Sequence, residues 1–117
     1  MSKDWKVYLL HIIKHAERIK YYIGGVTYEE FMRDLKLQDS VLRNLEIIGE
    51  AVGRIPPEVK EQYRHIPWRK IKAMRNFLIH EYDDVDLRIV WEVITKEIPT
   101  VKKGILRILK EYKKQKP

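Results

Sequence analysis

Trp5, Leu9, Ile12, Ala16, Ile19 and Ile23 step along the chain by four and three, which lays one apolar stripe down a helix. Gly24-Gly25 ends it. Thr27 and Glu30 have the spacing of a capping box and predict a short helix through Phe31 and Leu35. Val41, Leu45, Ile48, Val52 and Ile55 form the next stripe, with Asp39 or Ser40 as the expected cap and Pro56-Pro57 as the stop. A short turn follows over Glu58 to Tyr63. Pro67 sits where a helix start tolerates it, and from Trp68 the residues Ile71, Met74 and Leu78 face inward until the acidic loop Asp83 to Asp86. Asp86 is the expected cap of the last helix, where Leu87, Trp91, Ile94, Ile98, Val101, Ile105, Ile108 and Tyr112 keep the same stepping. Pro99 falls inside that series without shifting its phase, so the spacing predicts one kinked helix in preference to two.

No strand pattern competes with these stripes. The expected fold is all-α, an antiparallel bundle of four main helices plus short helices, joined by short connections. It forms a single domain over residues 1–113, with a frayed basic tail at 114–117. At 117 residues such a domain can bury roughly two-thirds of the surface its unfolded chain exposes, and it needs no covalent staple. The chain has no cysteine, which excludes a disulfide framework and thiolate metal ligands and makes the reducing cytoplasm the expected location. The first residues, MSKDWK, are charged from the third onward, and no apolar run approaches the roughly 18 residues of a membrane span, so neither a leader nor a membrane anchor is expected.

Charge sharpens the picture. The net charge of +7 is distributed as +1 over residues 1–40, 0 over 41–57, +4 over 58–75, −4 over 76–101 and +6 over 102–117. The basic excess therefore lies just before the stretch RNFLIHEY and again in the tail. Nucleic acid suits such a surface; a solvated basic surface without a partner explains the same count.

RNFLIHEY, Arg75 to Tyr82, carries a guanidinium, an amide, an imidazole, a carboxylate and a phenol in eight residues. On an ideal helix Asn76 and His80 share a face, Arg75 and Tyr82 share another, and Arg75 and His80 stand about 140° apart. The last pair could meet only where the helix end frays, or through a second chain. Imidazole moves protons near neutral pH, and guanidinium grips phosphate oxygens with a planar fork. RNA brings its own nucleophile in the 2′-hydroxyl, so a base, an acid and a cation suffice to cut it without a metal. The same residues also fit a plain helix end, with His80 favouring the negative dipole, Arg75 solvated and Tyr82 half-buried.

RNFLIHEY fits RxxxxHxY, and the chain resembles the HEPN superfamily as it appears in HepT-like toxins. DSVLRNLEIIGEAVGRIPPEVKEQY, IPWRKIKAMRNFLIHEY and DVDLRIVWEVITKEIPTV resemble the family's second signature, motif helix and last helix, in order and at the right spacing. The resemblance implies a HEPN-like homodimer whose two motif helices converge on a cleft. It implies a metal-independent endoribonuclease, the toxin of a type VII (HepT/MntA-like) toxin–antitoxin system, requiring no cofactor. Arg75 and His80 then match the catalytic pair, and Asn76 the polar residue beside the arginine. Tyr82 matches the tyrosine that the cognate antitoxin, the minimal nucleotidyltransferase MntA, modifies with AMP. A non-catalytic helical module that binds RNA, a nucleotide or the nucleotidyltransferase is the alternative within the same fold.

Arg43, Asn44, Glu46, Glu50 and Arg54 form a polar side on the third helix, and surface ion pairing accounts for them in part. On the functional reading Arg43, Asn44 and Glu50 line the same cleft or its dimer seam and hold the motif side chains in place. His11 and His15 have the four-residue spacing of a shared metal, yet Ile12 stands where the metalloprotease pattern needs its glutamate. Glu81, Asp83, Asp84 and Asp86 could hold a hard cation, which would make the chain a metal-dependent hydrolase; a capped acidic loop explains them more simply. No bound metal is expected. His65 and Trp68 read as structural, and the tail lysines as solubilising or RNA-facing.

Overall fold

The computed structural model describes residues 5–80 and 85–115, the side chains at 77–80 and 115 excepted. Helix α1 (Trp5–Ile23) ends on Gly25, whose φ of 77° is left-handed backbone that glycine enters freely. The Val26 amide closes this turn on the Ile23 carbonyl at 2.9 Å. Helix α2 (Tyr28–Arg33) opens on the expected capping box: the Glu30 amide donates to Thr27 Oγ1 at 3.1 Å, and the Thr27 amide donates to Glu30 Oε1 at 2.9 Å.

Helix α3 (Leu35–Gly53) starts earlier than its apolar stripe suggests. Asp34, and neither Asp39 nor Ser40, is the cap: its carboxylate accepts from the Leu37 amide at 3.0 Å. Leu35 lies exposed on the first turn, so the helix begins before it has anything to bury. Ser40 is already inside the helix, and its hydroxyl donates to the Lys36 carbonyl at 3.0 Å. Helix α4 (Pro57–Gln62) is one short turn with proline in its first positions. Helix α5 (Trp68–His80) carries the motif stretch to its C-terminus. Trp68 is buried at its start and donates its indole N–H to the Tyr63 carbonyl at 3.1 Å, whereas His65 is exposed and meets Tyr63 edge-on.

Asp86 caps helix α6 (Leu87–Glu92), which passes through a π turn (Val93–Glu97) into helix α7 (Ile98–Gln115) without leaving helical backbone. The π turn answers Pro99. A proline cannot donate to the carbonyl four residues back and its ring crowds that carbonyl, so the turn before it widens by one residue. Ile94, Ile98, Val101, Ile105 and Ile108 stay buried across the junction, so the stripe keeps its phase. The helix runs to Gln115.

The helices stack in the order α5, α3, α1, α7, with α2 at the end of α3 and beside α6. Leu9, Ile12, Ile19, Val41, Leu45, Ile48, Val52, Ile94 and Ile105 fill the space between them. Among the described residues there is no strand, and no helix is long and apolar enough to cross a membrane. Helix α5 packs mainly on α3 and forms one edge of the row.

Candidate functional site

Arg75 stands where α5 crosses α3, and Gly49 is the reason it can. A Cβ built on Gly49 would fall 2.0 Å from Arg75 Cβ and 2.5 Å from its Cγ, closer than two non-bonded carbon atoms can sit. The stem of the arginine therefore runs over bare backbone and its head emerges at the far side of α3. There Arg75 Nη2 donates to Glu50 Oε1 at 3.2 Å, and Nη1 donates to Asn76 Oδ1 at 3.4 Å. The side chain retains 28% of its exposure. Two acceptors thus aim the fork while leaving part of it open, which is what recognition of a phosphate oxygen requires.

The guanidinium opens onto a cavity of about 340 Å³ whose walls come from three helices. Helix α3 supplies Arg43, Glu46 and Glu50, and α1 supplies Tyr8 and His11. Arg43 pairs with Glu46 at 3.7 Å and Arg54 with Glu50 at 4.0 Å, the ion pairs expected of a helix surface. Glu50, however, also reaches across to Arg75, so one carboxylate ties α3 to the motif helix. Tyr8 presents its ring to the His11 edge at 5.8 Å and to the Arg54 guanidinium at 5.8 Å. An aromatic ring, an imidazole and cations around one hollow can hold a base and its phosphate together.

Asn44 is placed elsewhere. It turns into the α1–α3 interface, where it is 5% exposed, and its amide N–H donates to the Ser40 carbonyl at 2.7 Å. Its oxygen then accepts from His15 Nδ1 at 2.7 Å, which assigns the proton to Nδ1. Burial holds the His15 pKa below its ordinary value, against the opposing pull of the Asn44 hydrogen bond; Arg18, Lys14 and His11 lower it further. His15 therefore faces the interior while the exposed His11 faces the cavity, and the two histidines do different things.

His80 is the last residue of α5, and its side chain lies outside the described residues. Tyr82 and the acidic residues Glu81, Asp83 and Asp84 also lie outside them. Asp86, the remaining acid of that loop, is committed to its cap: it accepts from the Arg88 amide at 3.0 Å and the Arg88 guanidinium at 2.9 Å, which hold its carboxyl below the usual range. Sequence reasoning left out Gly49, Tyr8 and His11 as parts of this site. The glycine carried a signal, since Gly49 and Gly53 lie four apart in a helix and mark a face where another helix comes close. Tyr8 and His11 lie three apart on the flank of the α1 stripe, and only the packing of α1 on α3 brings them to Arg75.

The HepT-like family, described as ribonuclease HepT-like, matches residues 12–108. The chain belongs to the HepT-like ribonuclease family. A protein of Methanocaldococcus jannaschii named "Gamma-glutamylcyclotransferase and putative RNase" is 46% identical over 116 residues, covering 99% of this chain and 52% of its own length. The chain thus spans about half of that relative. Over 111 residues it is 43% identical to a "Putative RNase" of Caldanaerobacter subterraneus subsp. tengcongensis, covering 95% of this chain and 99% of the other. A "Probable ribonuclease HepT" of Thermococcus cleftensis is 40% identical over 102 residues, covering 87% and 93% respectively. No solved structure matches the chain. Arg43, Gly49, Glu50, Arg75 and Asn76 all fall inside the HepT-like match, whereas Tyr8 and His11 precede its first residue.

Proposed function

We propose that this HepT-like chain is a metal-independent endoribonuclease that acts as a homodimer. In this reading it is the toxin of a type VII system, silenced when an MntA-type nucleotidyltransferase adenylylates Tyr82. The observation that carries the nuclease reading is the seat of Arg75: a partly open fork, aimed by Glu50 and Asn76 into a cavity, in a chain of a ribonuclease family.

In the proposed reaction a base takes the proton of the RNA 2′-hydroxyl, and the oxygen attacks the neighbouring phosphorus. The bond from phosphorus to the 5′-oxygen breaks, an acid protonates that oxygen, and a 2′,3′-cyclic phosphate and a 5′-hydroxyl result. Arg75 clamps the non-bridging oxygens and offsets the charge that builds there. His80 moves the protons. It lies about 7.5 Å further along α5 and about 140° around it from Arg75, so a second protomer supplies the geometry that one helix cannot. The place of α5 at the edge of the row, with α3 as its main neighbour among the described residues, supports that arrangement.

Adenylylation joins the Tyr82 oxygen to the α-phosphorus of ATP and releases pyrophosphate. The added phosphate brings negative charge and bulk to the end of α5 and repels the RNA backbone. An RNA-degradation assay with the wild type, Arg75→Ala and His80→Ala, each with and without chelator, tests the reading. Loss of cleavage in both variants and indifference to chelator are expected. Equal background cleavage in all three would mark a binding module without nuclease activity, and chelator-sensitive cleavage a metal-dependent hydrolase.

A further inference from the structure

A second groove, of about 820 Å³, opens where α4 meets the start of α5. Its walls carry Lys60, Arg64, Arg69, Lys70 and Lys72 against one carboxylate, Glu61, and Lys70 is drawn off by Glu97 of the π turn at 2.8 Å. The Glu61 carboxylate is already taken, since Arg64 Nη1 donates to its Oε2 at 3.1 Å. Among the described residues no acid pairs with Lys60, Arg69 or Lys72. Three cations therefore share one hollow without a counter-ion among the described residues.

The arrangement is held in place by packing. Lys72 lies along α3, its Nζ 2.8 Å from where a Cβ on Gly53 would stand. The negative end of α3 favours one ammonium there. It does not account for the half-buried Lys60 beside it, whose pKa burial and Lys72 together push down. Bringing like charges together and drying one of them costs free energy that an anion in the groove would return.

Lys72 at Gly53 and Arg75 at Gly49 lie one helical turn apart along the same seam of α3 and α5, about 6 Å by helix rise. We infer that Lys60, Arg69 and Lys72 form an accessory phosphate groove, which holds the backbone of single-stranded RNA beside the bond presented to Arg75. The inference rests on the nuclease reading for its substrate. These are positioning residues: they hold the flanking chain and leave the reacting bond to the motif.

The test is fluorescence anisotropy of the full chain with a labelled single-stranded RNA across a salt series, in a His80→Ala background. Each of Lys60→Gln and Lys72→Gln is expected to lower the slope of log K against log salt by about 0.7, and the double variant by about 1.4. Lys36→Gln, about 20 Å from Gly49 along α3, leaves the slope unchanged. A double variant that retains the parent slope while keeping its thermal melt overturns the groove, as does a parent that binds no RNA. If the double variant does not fold, the single variants decide by the same slope. In cleavage assays the substitutions raise KM for long RNA and leave kcat in place; a loss confined to kcat overturns the positioning role. Failure of the nuclease reading is separate, because His80→Ala would then cleave like wild type while the slopes still report the groove.

Discussion

Arg75→Ala would leave Glu50 with Arg54 alone and remove the only described cation that is fixed by two acceptors at the cavity. On the proposed chemistry, single-turnover cleavage of RNA then falls by about 10²- to 10³-fold. Arg75→Lys keeps the charge without the fork and recovers only part of that loss. Gly49→Ala sets a methyl against the Arg75 stem, so it should cost about 1–3 kcal/mol in urea unfolding and reduce cleavage as well. His15 gives the fold a pH dependence whose sign follows from its environment. Its folded pKa lies below 6.5, so the unfolded chain binds the proton more readily. The contribution is complete above the unfolded value and drains away as pH falls through the folded one. The urea midpoint should drop as pH falls below the ordinary histidine value of 6.5, and His15→Gln should flatten that drop. His15 and Asn44 were legible in principle: His15 stands three after Ile12 and four before Ile19, and Asn44 three after Val41 and four before Ile48. Both positions fall on the buried stripe, but polarity drew Asn44 toward the polar side. What recognises a buried amide is a partner 29 residues away, and no spacing within one helix reveals it.

At the level of elements, the stripes on α1, α3 and the last helix were readable because each buries one continuous face. Element starts were less so. The α3 cap was displaced from Asp34 because a helix can begin before its stripe, and Asp34 serves two helices at once: its amide donates to the Phe31 carbonyl while its carboxylate opens α3. Asp34→Ala should therefore cost about 0.5–2 kcal/mol in thermal unfolding, with no change at the cavity. The continuity across Pro99 was readable from phase alone, whereas the extra residue of the π turn was not, since a stripe records which side is buried and not how many residues each turn holds.

For the whole molecule, the row of helices places the charges in a way that no single stripe discloses. Residues 58–75 carry a net +4, and the crossing of α3 and α5 gathers much of it along one seam, from the Arg75 cavity to the Lys60 groove. The homodimer of the proposed function is checked by light scattering on the purified chain, where a mass twice 14.2 kDa is expected. The terminal place of α5 in that row has a further consequence. A helix leaning on one main neighbour can lift away without disrupting the rest, so amide protons over Trp68–Asn76 should exchange with deuterium sooner than those of α1, and substrate RNA should slow them.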